Sequence, residues 1–149
     1  MATSIREYIL ENIQSALETI NTSNGYNITV RRVERARITP FQQNLLPAIF
    51  LYEETDELMQ EKSYCNDRKM IISCECWLKT HHNLSEEVNK LYADVQVALM
   101  TDRTRGSHAI DTKHTRAQFF IAEENLGGVE VTFEILYRQL PSDPTRSSL

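Results

Sequence analysis

Gly127-Gly128-Val129-Glu130-Val131-Thr132-Phe133-Glu134-Ile135-Leu136-Tyr137-Arg138-Gln139-Leu140-Pro141-Ser142-Asp143-Pro144-Thr145 lies near the end of the sequence. Apolar side chains at Val129, Val131, Phe133, Ile135 and Tyr137 alternate with Glu130, Thr132 and Glu134, the period of a strand with one buried face. The strand runs into a polar segment punctuated by Pro141 and Pro144, which offer no amide for a ladder. A last strand placed this late, followed by a short arm, suits a subunit that clasps a neighbour. The reading is a single domain over residues 1–139 and a flexible C-terminal arm over 140–149, with the proline and serine content of a segment that orders on binding.

Working upstream, Asn125-Leu126-Gly127-Gly128 is a turn-forming cluster, which makes Arg116–Glu124 the partner strand of a hairpin. Asp102–Thr115 is polar, contains Gly106 and lacks periodicity, so it reads as a mobile loop. Asn83-Leu84-Ser85-Glu86 resembles a capping box and opens a helix. That helix carries Leu84, Val88, Leu91, Tyr92, Val95 and Leu99 at helical spacing and ends near Thr101. Lys69–Leu78 alternates as a strand, and Ala48–Tyr52 is a short apolar run covered on both faces. Between these two strands, Glu53, Glu54, Asp56, Glu57 and Glu61 read as a long acidic hairpin loop.

Nearer the N-terminus, Tyr26, Ile28 and Val30 alternate with polar residues as a strand. Its continuation, Arg31–Arg37, is highly charged and should leave the core, and Thr39–Leu46 is a loop. The first helix starts at a capping box, Ser4-Ile5-Arg6-Glu7, and stops at Asn21–Gly25. The order is α-β-β-β-α-β-β. The fold expected is one α+β domain, a mixed or antiparallel sheet of about five strands with two main helices packed on it.

The composition is that of a soluble globular domain: 149 residues, 41% hydrophobic and 25% charged, enough to bury one core. The net charge of −5 argues against a protein whose main task is gripping nucleic acid. Three cysteines, Cys65, Cys74 and Cys76, are an odd number in a chain of this size, so a reducing compartment is expected rather than a disulfide framework. The charged N-terminus is unlike a signal peptide. The longest nearly apolar run, Leu45–Tyr52, is far short of the ~20 residues that span a bilayer.

Chemistry-bearing residues are present, yet no stretch assembles them. Cys74 and Cys76 share one face of a strand, but a second ligand pair is missing, and core packing is the favoured role; no metal is expected. His81, His82, His108 and His114 lie in predicted loops without a recognisable nucleophile. No glycine pattern cradles a phosphate, and no cofactor is expected. Arg31, Arg32, Arg35 and Arg37 form the main electrostatic feature. A nucleic-acid role would want interleaved aromatics, and Phe41 alone is thin support. The favoured reading pairs these arginines with the Glu53–Glu61 segment of a neighbouring copy, since a head-to-tail ring brings two different patches together.

The layout resembles the tail-terminator (tail-completion) proteins of long-tailed bacteriophages. It does so through the N-terminal amphipathic helix, the Leu46-Pro47-Ala48-Ile49-Phe50-Leu51-Tyr52 segment running into acidic residues, and the helix containing Glu86-Glu87-Val88-Asn89-Lys90-Leu91-Tyr92. The ending Val131–Tyr137 with Asp143-Pro144-Thr145 is the nearest thing to a signature, and the resemblance spans roughly Ser4–Thr145. It implies a virion protein of the tail or neck, assembled in the host cytoplasm and not an enzyme. It implies a homohexameric ring that caps the tail tube, ends tube polymerisation and gives the head connector a surface to dock on. Genome DNA would pass through the lumen without specific binding. The residues expected at subunit and tube contacts are Arg31, Arg32, Arg35, Arg37, Glu53, Glu54, Asp56, Glu57, Arg103, Arg105, Asp143 and Pro144. Three alternatives stand beside this: another neck or head-completion subunit, a small enzyme or ligand-binding protein using His81, His82 and the cysteines, and a nucleic-acid module using the arginines.

Overall fold

A computed structural model describes residues 2–36 and 43–147 of the chain. Two helices lie on one face of a five-stranded sheet, in the element order expected from the sequence. Helix α1 spans Ile5–Glu18, and its cap Ser4 accepts a hydrogen bond from the Glu7 amide at 3.1 Å. The reciprocal half of the capping box does not form, because the Glu7 carboxylate pairs with Arg35 instead. Helix α2 spans Leu84–Met100, and its cap Asn83 accepts from the Glu86 amide at 3.2 Å. Ile5, Ile9, Ile13 and Leu17 on α1 are buried, as are Val88, Leu91, Val95 and Leu99 on α2, positions that the spacing marks out, while Tyr8 on the same expected stripe is 43% exposed and Leu10 and Ala98 are buried outside it.

The strands are β1 (Arg32–Arg35), β2 (Ala48–Glu61), β3 (Asn66–Lys79), β4 (Asp111–Glu123) and β5 (Leu126–Gln139). They lie in the order β1-β2-β3-β5-β4, with β1 parallel to β2 and all other pairs antiparallel. Met70, Ile72, Cys74, Cys76 and Leu78 of β3, with Val129, Val131, Phe133, Ile135 and Tyr137 of β5, meet the helices in the main core. A smaller cluster of Leu46, Ala48, Phe50 and Leu126, flanked by Tyr52 and Trp77, covers one end of the helix-free face.

Four local expectations are corrected. Tyr26–Val30 forms no strand, because its amides are used elsewhere. Asn27 and Ile28 donate to the buried Asp94 carboxylate of α2 at 3.1 and 2.9 Å, and Val30 donates to the Ile20 carbonyl at 2.9 Å. The first strand therefore forms in the charged stretch, where Arg32–Arg35 finds the open edge of β2. The acidic segment is likewise strand and not loop: β2 continues to Glu61, paired with β3, and the turn is confined to residues 62–65. Opposite charges face one another there, Glu57 against Lys69.

Asp111–Thr115 belongs to β4 rather than to the preceding loop. Finally, the last hairpin turns at Glu124-Asn125, where Asn125 takes φ 63°, and Gly127 and Gly128 lie inside β5. Gly128 sits between Trp77 and Phe120 in the sheet, and a Cβ there would come within 1.8 Å of the Cys76 carbonyl oxygen. The two rings meet edge-on beside it, 4.8 Å apart.

Candidate functional site

On a regular strand, residues three apart point to opposite faces. Glu53 and Asp56 escape that rule because the register slips between Glu53 and Thr55, so that they stand opposite Ile72 and Met70, both helix-face residues. The bulge thus turns two carboxylates toward the start of α1. Arg6 donates through Nε to Asp56 at 3.1 Å and also pairs with Glu53. Arg68 donates to the other Asp56 oxygen at 2.6 Å, and the Tyr137 hydroxyl donates to Asp56 as well. Arg35 joins Glu7 and Glu53, the latter at 3.4 Å. Burial, then the bond to Asp56, pushes the Tyr137 phenol up, and the hydrogen bond to Asp56 raises Arg68.

This arrangement does bring the basic cluster and the acidic segment together, but inside one subunit. The arginine–glutamate pairing expected between neighbouring copies is made by Arg35 and Glu53 of the same chain. Arg32 pairs with Glu34 at 2.5 Å and lies 5.7 Å from the centre of the Phe50 ring, and Arg31 reaches the Asn44 carbonyl at 3.4 Å. Arg37 lies outside the described residues.

The other candidates separate into tied and open groups. Arg103 forms a two-pronged pair with Asp111, at 2.7 and 2.9 Å. Arg105 is fully buried: its Nη2 donates to the Leu99 carbonyl at 2.5 Å and to the Asp102 carbonyl, closing the C-terminal end of α2, and burial lowers its pKa. It has no surface to present to a partner. Asp143 folds back on Thr145, and the Pro144 carbonyl accepts from the Ile5 amide at 2.9 Å, so residues 140–147 lie against the start of α1. Glu54 and Glu57 remain exposed, with no ion pair among the described residues.

The cysteines and histidines do not converge. Cys74 and Cys76 are buried under the helices, where burial pushes the Cys74 thiol up to about 12 and raises the Cys76 thiol well above its ordinary value. His81 and His82 are exposed beyond β3, His108 stacks on Tyr8 at 4.7 Å, and the His114 ring lies 2.9 Å from the Tyr92 hydroxyl.

Apolar surface gathers in two separate places. Leu58, Met59 and Tyr64 are exposed at the β2–β3 hairpin, Tyr64 by 69%. On the far side of the sheet, Phe119 and Ile121 of β4 are 51% and 78% exposed. They border a groove of about 520 Å³ against Leu84 and Val88 at the start of α2. Sequence reasoning missed Arg6, Arg68 and Tyr137 as partners of the acidic segment. Their convergence depends on a bulge that no periodicity signals.

No protein-family model and no curated protein matches the chain. Among solved structures, it is similar to a chain in the virion of a native gene transfer agent particle, with 12% identity over 91% of this chain and 92% of that one and a TM-score of 0.45. A likeness that distant carries no argument about what this chain does.

Proposed function

We propose that this chain is a structural, non-enzymatic subunit of a phage-like virion, and within it a tail terminator. Six copies form a ring that caps the finished tube, stops its growth and offers the head connector a docking face. The observation that carries this reading is the pair of exposed apolar groups, Leu58/Met59/Tyr64 at the β2–β3 hairpin and Phe119/Ile121 on β4, at different sides of one sheet. Large apolar side chains exposed close together in the chain are candidates for contact sites. Two unlike patches on one subunit are what head-to-tail closure uses. The layout shared with tail terminators from Ser4 to Thr145 supports the same reading, and a net charge of −5 suits a passage through which DNA slides without being held.

The test is assembly without the chain. Tubes of unregulated length and free, filled heads are the expected result, with wild-type chain restoring joined particles. Tails of normal length with heads attached would overturn the proposal. Immunogold labelling separates this reading from another neck subunit, because a terminator sits at the last tube ring.

A further inference from the structure

We infer that the ring contact is made by joining strand edges, the outer half of β2 in one copy to β4 of the next. This rests on the ring reading above. The sheet ends differently on its two sides. β1 covers β2 only from Ala48 to Leu51, so residues 52–61 have no strand on that side among the described residues. Among the described residues β4 pairs only with β5, leaving its other edge without a strand along Asp111–Glu123. Open strand edges pair with other chains unless something blocks them.

Charge then distinguishes the two edges. With Glu53 and Asp56 tied to arginines of their own chain, Glu54, Glu57 and Glu61 of the β2 edge make no ion pair among the described residues. On β4, Lys113 and Arg116 are exposed, also without an ion pair there, and no acidic residue lies between Asp111 and Glu123. One edge is acidic, the other basic, which discourages like edges from joining and favours unlike ones.

Geometry agrees with the charges. Within a subunit β2 and β4 run in opposite directions, so a neighbour related by rotation about an axis along the strands presents β2 antiparallel to β4. An antiparallel register that sets Glu57 opposite Lys113 also sets Glu54 opposite Arg116, and the pairing stops at Gln118 opposite Tyr52, because the next residues of β4 would fall against Ala48–Leu51, where β1 already lies. Glu57 faces Lys69, and Lys113 faces Glu134, so both lie on the helix-free face and meet there. The sheet would then run on from subunit to subunit around the ring.

The experiment uses two charge-reversed chains, one carrying E54K and E57K, the other K113E and R116E, with folding checked by circular dichroism. All four positions are exposed strand residues outside the core. Sedimentation of each variant alone is expected to show association weakened about tenfold or more. An equimolar mixture should regain assembly, because alternating copies restore both unlike edges. In native mass spectra the restored rings should hold the two chains in equal number. Wild type should also associate less as salt rises. If wild type forms rings and both variants form them equally well alone, edge pairing is overturned while the ring stands. If wild type stays monomeric in sedimentation at the highest soluble concentration, the edge contact and the ring in free protein are both overturned.

Discussion

The two halves of β2 are continuous in chain and pairing, yet different forces hold them. From Ala48 to Leu51 no side chain is more than 2% exposed, and the strand is fixed by apolar packing on both faces. Beyond the bulge at Glu54, every residue to Glu61 is exposed except the half-buried Asp56, and the strand is fixed by its ladder with β3 and by ion pairs. Packing of the first kind tolerates no added atom, whereas the second kind depends on one carboxylate and leaves its neighbours free. The outer half can therefore present side chains to a partner without loosening the core.

The inner half is most sensitive at Gly128, in the same row of the sheet as Trp77 and Ala48. A methyl group there would meet backbone, the Cys76 carbonyl oxygen at 1.8 Å and carbon at 2.9 Å, so the strands themselves would have to part. Gly128→Ala is expected to cost about 3 kcal/mol or more in urea unfolding, the range of severe overpacking. A loss under about 1 kcal/mol would mean that the inner half yields as readily as a surface.

The outer half depends instead on Asp56, which accepts from Arg6, Arg68 and Tyr137. Asp56→Ala strands a half-buried guanidinium and a buried phenol at once and is expected to cost about 2 kcal/mol. Glu57→Ala, one residue on, should stay within about 0.5 kcal/mol of wild type. Equal losses at the two positions would erase the distinction between carboxylates tied within the subunit and carboxylates left open.

What the sequence made legible follows the same division. Where burial sets the pattern, as in Val129–Tyr137 and the apolar stripes of both helices, element, face and order were readable, because one buried face imposes a period. Acidic β2 was not readable. Glu53–Glu61 has no apolar period, and its strand state comes from a partner, β3, that presents a complete ladder. Tyr26–Val30 failed in the opposite way: it has the strand period, but Asp94 takes its amides from a helix 66 and 67 residues away in sequence. At the candidate site, the residue types were visible in Arg35 and Glu53. That they meet within one chain was not, since a bulge reverses which face each carboxylate takes. Arg105 looked like any loop arginine, and nothing local reveals that it closes a helix end.

The mildest change is expected in the response of the outer half to pH. Asp67 at the start of β3 pairs with Arg138 across the β3–β5 ladder, at 2.7 Å, and with Lys62 of the turn, at 2.9 Å. The Arg138 hydrogen bond, more than the Lys62 contact, holds its carboxyl below the usual aspartate range. A lowered folded pKa means that the unfolded chain takes up the proton first. The stabilisation is complete above about pH 4 and is lost as pH falls through the lowered folded value. On acidification from about pH 6 to about pH 3, amide protection factors, taken against the intrinsic exchange rate at each pH, should therefore fall first around Gln60–Arg68, while Ile49–Leu51 and Cys74–Leu78 stay protected. Asp67→Asn should remove that step by making the outer half exchange faster already at neutral pH. If both halves lose protection together at every pH, the sheet opens as one unit. The ion pairs would then contribute only to its overall stability, and the outer half of β2 could not adjust to a neighbour without disturbing the core behind it.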